Sequence, residues 1–120
     1  MLIRIDPGSP VPLGAQIAAR LRRAVADGEI SPGERLPPAR ALAESLGVNV
    51  HTVLRGYQEL RDEGLIELRR GRGAMVLAGT PTRARLLEQV RSLVSEARTL
   101  GLSEDEVVGL VRTGLRESGA

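Results

Sequence analysis

The chain has 120 residues, no cysteine, one histidine and a single aromatic side chain, Tyr57. That length allows one small domain with an appendage; the absence of thiols excludes disulfides and a cysteine nucleophile, and a single histidine is too few for a zinc site. The 17 basic residues, all arginine, face 15 acids, so the net charge of +2 does not by itself argue for a polyanionic partner.

A core without Phe or Trp must be built from Leu, Val, Ile and Ala, which suits packed helices better than a β-sandwich. No apolar run is long enough to span a bilayer. The start "MLIRIDPGSPVPL" lacks the basic and apolar regions of a signal peptide, which predicts a cytoplasmic protein with no membrane partner.

Residues 4–12, "RIDPGSPVP", read as an extended lead-in, because three prolines and a glycine forbid a helix. From Leu13 the pattern changes. Leu13, Ile17, Leu21 and Val25 recur every four residues, with Ala18 and Ala24 beside them, while Arg20, Arg22 and Arg23 face elsewhere. This predicts a first helix of about four turns with one buried stripe. Gly28 stops it, and Ser31-Pro32-Gly33 makes a turn.

A second helix begins near Pro38, turns Leu42, Ala43 and Leu46 inward and stops at Gly47. Asn49 is the N-cap of a third helix that runs to about Glu63, with Val53, Tyr57 and Leu60 as its buried stripe. Gly64 ends that helix, and Leu65 packs back on its last turn. Residues 65–68 then open a short strand, "RRGRG" turns, and residues 74–77 return as a β-hairpin.

"AGTPT" reads as a linker. Beyond it Leu86, Val90, Leu93, Ala97 and Leu100 alternate in steps of four and three, a coiled-coil-like seam ended by Gly101. Leu102 and the pair Ser103/Glu106 supply a staple and a capping box for a last helix, which presents Val107, Val108, Val111 and Leu115. Two helices of this size cannot satisfy their apolar faces alone, and a second copy of the chain is the expected partner.

Three helices and a hairpin make a mainly α fold with a small β-hairpin: a winged helix-turn-helix over residues 1–79 and a two-helix dimerisation segment over 80–120. In this motif the third helix is offered to the major groove of DNA. With Val53, Tyr57 and Leu60 inward, His51, Arg55 and Gln58 point outward, with Thr52 on one flank and Leu54 on the other. All four polar side chains can hydrogen-bond base edges or phosphates. In the hairpin Arg70, Gly71, Arg72 and Gly73 form a local basic cluster suited to an anion.

The stretch "SPGERLPPARALAESLGVNVHTVLRGYQELRDEGLIELRRGRGAMV" resembles the DNA-binding domain of GntR-type bacterial transcriptional regulators. The two-helix tail resembles the YtrA-type subfamily, in which a short helical segment dimerises. The resemblance implies a homodimeric repressor on an inverted-repeat operator. It implies that Arg40 reaches a base or phosphate, that Asn49, His51 and Thr52 lie at the start of the recognition helix, and that Arg72 with its flanking glycines is the wing tip, entering the minor groove. The chain departs from the family at Val50 and Leu54, where many members carry arginine, at Pro38 in place of serine, and at Ala74-Met75 in place of Thr-Phe.

No cofactor is implied, no small-molecule effector is assigned, and no nucleophile–base pair, carboxylate dyad or phosphate loop points to an enzyme. A non-specific architectural DNA-binding protein and a protein-interaction adaptor are the alternatives; selection of a DNA sequence discriminates among them.

Overall fold

A four-residue recurrence of apolar side chains makes one face of a helix, and that face is where the first helix packs. It forms α1 (Leu13–Ala26), in which Ile17, Ala18, Leu21, Ala24 and Val25 are buried. The computed structural model describes residues 2–71 and 73–119. After α1 come α2 (Ala39–Leu46), α3 (Val50–Asp62), strands β1 (Ile66–Arg69) and β2 (Gly73–Val76), α4 (Thr80–Thr99) and α5 (Glu104–Ser118). The chain divides into two compact units with the boundary after Leu86, so the first turns of α4 belong with the helix-turn-helix and the hairpin.

In the first unit α3 packs against both α1 and α2. Val53, Tyr57 and Leu60 of α3 are buried in this packing, as are the α1 stripe and Leu42 and Ala43 of α2. The approach of α1 to α3 is set by two glycines. A Cβ on Gly56 would stand 2.9 Å from the Gly14 carbonyl oxygen, and one on Gly14 would stand 3.1 Å from that of Thr52. Leu65, Ile66, Ala74 and Val76 of the hairpin and Ile30 and Leu36 of the α1–α2 connection close the core.

The hairpin is antiparallel, with Ile66 opposite Val76 and Arg69 opposite Gly73. It has a third member that the sequence reading missed. Arg35 bridges Met75, and residues 33–36 exchange three backbone hydrogen bonds with β2: Gly33 N–H to Val76 O (2.8 Å), Val76 N–H to Glu34 O (2.9 Å) and Leu36 N–H to Ala74 O (2.9 Å). β2 therefore lies between two neighbours.

Three expectations need correction. Arg22 does not face solvent. It sits at the edge of the α1 stripe, 2% exposed, and its guanidinium pairs with the Glu63 carboxylate at the end of α3. Pro38 is the N-cap of α2 and not a residue of its first turn; its ψ of 136° is extended, so the helix starts at Ala39. Residues 80–82 are not linker. α4 starts at Thr80, whose hydroxyl donates to Leu77 O at 2.7 Å while the residue is 1% exposed, and Pro81 costs nothing in a first turn whose N–H groups have no helical acceptor.

The first turns of α4 are tied to two helix ends. Arg83 donates to Glu63 O at 2.6 Å, and Arg85 to Ala26 O at 3.3 Å, so each arginine serves a carbonyl at a helix C-terminus. Ala84 between them is fully buried.

In the second unit Gly101 (φ +71°) ends α4 and Leu102 N–H returns to Ala97 O at 3.0 Å. The capping box forms as the sequence predicts: Glu106 N–H donates to Ser103 Oγ at 3.2 Å and Ser103 N–H to Glu106 Oε1 at 3.1 Å. Among the described residues no helix is long and apolar enough to cross a membrane.

Candidate nucleic-acid interface

The turn between α2 and α3 is built by two residues. Gly47 takes the left-handed conformation (φ +69°), which a side chain would strain, and lets Val48 N–H reach back to Ala43 O at 3.0 Å. Asn49 then caps α3, its carboxamide oxygen accepting the His51 N–H at 2.8 Å. That bond uses one of the two acceptor positions of the Asn49 oxygen, and its amide NH2 remains able to donate to a ligand.

The inward face of α3 is fixed by packing. Val53 and Leu60 are fully buried and Tyr57 is 3% exposed. The Tyr57 hydroxyl donates to Pro37 O at 2.5 Å, tying α3 to the residue before the α2 cap, and burial pushes its pKa up to about 12. The opposite face follows from helix geometry. His51, Arg55 and Gln58 are exposed, Thr52 is half-buried on one flank, and Leu54 is exposed on the other.

Arg40 stands exposed in the first turn of α2. At the hairpin, Arg70 and Gly71 are exposed in the turn and Gly73 at the start of β2; Gly71 (φ +76°) and Gly73 (φ +75°) supply its left-handed dihedrals. Arg69 is held along β1 by Glu67 at 3.0 Å. Arg72 lies outside the described residues. Among the described residues Arg40, Arg55 and Arg70 hold no ion pair, which leaves their guanidinium groups for an outside anion.

Sequence reasoning placed His51, Arg55 and Gln58 on one face because the buried stripe of α3 is unambiguous. It also named Asn49 as the cap, but did not foresee that residues 33–36 brace the wing. The α4 and α5 residues singled out as a seam are mostly bare. Leu86 is 58% exposed, Leu100 75% and Leu115 67%, with Val90 and Val111 exposed as well; Leu93 and Val107 are half-buried and Ala97 is buried. Leu110, not anticipated, is 58% exposed on α5. Among the described residues no group of three or more His, Cys, Asp or Glu could hold a metal ion.

Residues 13–76 match the family model described as bacterial regulatory proteins, gntR family. The chain is similar to the HTH-type transcriptional repressor YtrA of Bacillus subtilis, with 32% identity over 112 residues that cover 88% of this chain and 86% of the repressor. In three dimensions it is similar to YtrA from Sulfolobus acidocaldarius, described as a GntR-family transcription factor. That match has a TM-score of 0.62 at 36% identity and covers 78% of this chain and 99% of the other. It is also similar to the DNA-binding domain of AraR in complex with operator ORX1, with a TM-score of 0.56 at 26% identity over 63% of this chain and 94% of that domain.

Proposed function

The chain belongs to the GntR family of bacterial regulatory proteins, helix-turn-helix transcription regulators that bind operator DNA, and on that premise we propose that it is a homodimeric repressor of an inverted-repeat operator. It is not an enzyme. Residues 1–79 act as the DNA-binding domain and residues 80–120 as the dimerisation segment.

The observation that carries this reading is the division of α3. Val53, Tyr57 and Leu60 are consumed by the core, while His51, Arg55 and Gln58 are left exposed on the other side. α3 lies in the major groove with its N-terminal half against the bases. Arg40 reaches a phosphate or a guanine from the start of α2. Asn49 offers its amide, and Thr52 its hydroxyl, at the groove edge. Arg70, Gly71, Arg72 and Gly73 follow the backbone into the adjacent minor groove, where the glycines let the chain approach closely. Each guanidinium that neutralises a phosphate steepens the salt dependence by about one unit.

The apolar rows of α4 and α5, mostly exposed, support self-association: Leu86, Val90, Leu93, Ala97 and Leu100 form one and Val107, Val111 and Leu115 the other, with Ala97 alone among them buried. A twofold dimer places two recognition helices on half-sites about one helical turn apart, roughly 34–36 Å.

The test is selection of bound duplexes from a randomised pool at near-physiological salt. Enrichment of an inverted repeat is the expected result. Binding that fades with salt and enriches nothing would make the protein an architectural DNA binder. Absence of binding would make the winged helix a protein-interaction module.

A further inference from the structure

The outward side of α3 is not uniformly polar. Leu54 is 37% exposed and takes no place in the core, to which α3 contributes Val53, Tyr57 and Leu60. At about 100° per residue it stands about 60° around the axis from His51 and about 40° from Gln58. Val50, one turn earlier and about 40° away, is half-buried. An apolar edge, Val50–Leu54, therefore runs beside the polar row His51, Arg55 and Gln58.

An exposed leucine among hydrogen-bonding side chains is a specific chemical statement in a major groove. It can neither donate nor accept, so against a guanine, adenine or unmethylated cytosine edge it would strip water from N7, O6, N6 or N4 and replace it with nothing. The one apolar group that a base pair presents in that groove is the C5-methyl of a pyrimidine. Placed against it, Leu54 removes apolar surface from water on both sides and leaves no polar atom short of a partner.

We propose that Leu54 is a specificity-determining residue that reads a pyrimidine C5-methyl, selecting one position in each half-site by apolar contact and rejecting bases that carry only polar groups there. This rests on the reading that α3 enters the major groove. It gives Leu54 a role distinct from the hydrogen-bonding neighbours, whose contacts do not depend on the methyl.

The methyl has two sources, thymine and 5-methylcytosine, and the experiment separates them. Wild type and Leu54→Ala are titrated against the pool-selected operator in which each thymine in turn is replaced by deoxyuridine, and each cytosine by 5-methylcytosine. Loss of one methyl from an apolar contact is worth about 0.8 kcal/mol, which converts to about fourfold in affinity per half-site. A thymine source gives a loss of that size at one deoxyuridine position for wild type and less than twofold for Leu54→Ala. A methylcytosine source gives a gain of that size at one position, again lost in the variant. Leu54→Gln, a good helix former that keeps the length of the side chain, also loses the methyl discrimination, and circular dichroism spectra and melting points equal to wild type for both variants exclude a folding defect. Operator binding by wild type with no methyl substitution distinguishing it from Leu54→Ala overturns the inference and leaves the DNA-binding reading standing. Wild type that binds no duplex overturns both.

Discussion

Replacing Gly56 by alanine sets two effects of opposite sign against each other. On an exposed helix the change favours folding by about 1 kcal/mol, because glycine has more backbone freedom to lose. Here the new Cβ would lie 2.9 Å from Gly14 O, with Ile17 Cγ2 at 3.3 Å and Ile17 Cβ at 3.4 Å. Relief of the worst contact requires α1 and α3 to part by about 0.5 Å. The nearest atom is backbone on a neighbouring helix and cannot rotate away. Overpacking of this kind costs about 1–3 kcal/mol, and the upper end applies. The net expectation is a destabilisation of about 2 kcal/mol, or roughly 10 °C in Tm for a unit of this size. Gly109→Ala on α5 is the control, since nothing lies within 4 Å of its Cβ position, and it should raise stability by about 0.5–1 kcal/mol. Both are read from urea and thermal unfolding followed by circular dichroism. If Gly56→Ala were as stable as wild type, the two-glycine contact would not set the α1–α3 distance and the steric reasoning would fail.

Other expectations follow from single interactions. Glu63→Gln leaves the buried Arg22 guanidinium without its counter-charge and should cost about 2–4 kcal/mol in chemical denaturation, while Arg22→Met combined with Glu63→Gln should recover most of the loss. Tyr57 is the sole tyrosine, and its pKa is raised from 10.0 to about 12, so its proton leaves the unfolded chain first. Its contribution is complete below pH 10 and is lost as pH rises from about 10 to 12. Tyr57→Phe should flatten that decline in an alkaline unfolding series. Arg40→Ala should weaken operator binding by about 1–3 kcal/mol in an anisotropy titration, and unchanged affinity would remove Arg40 from the interface. Leu93→Asp and Leu100→Asp should halve the sedimentation mass; a mass equal to wild type would place the self-association surface elsewhere.

Legibility in the sequence followed the range of the forces involved. Helix limits set by local chemistry were readable: Asn49 as cap, Gly47 and Gly64 as stops, Ser103 with Glu106 as capping box. So was the outward face of α3, because three buried side chains fix its rotation. What depended on distant partners was not. Arg22 looks like a surface arginine until Glu63, 41 residues on, is brought beside it. Arg35 looks like loop until β2 offers a free edge to it. Residues 80–82 carry turn composition, and only the burial of Thr80 and Ala84 makes them the start of a helix. Arg83 and Arg85 gave no signal, since the carbonyls they serve belong to other helices.

The bracing of β2 has a mechanical consequence. The strand is stitched to β1 on one side and to residues 33–36 on the other, and Leu36 leads straight into Pro37 and Pro38, whose φ angles are locked. Pro37 is itself held by the Tyr57 hydroxyl from α3. Hairpin, α2 entrance and α3 are thus joined by a continuous run of hydrogen bonds. On the proposed reading, a contact made by the hairpin in one groove helps to order the α2 entrance at Arg40 for the other. Contacts in the two grooves should then be thermodynamically coupled, and the affinity lost on removing both should differ from the sum of the separate losses.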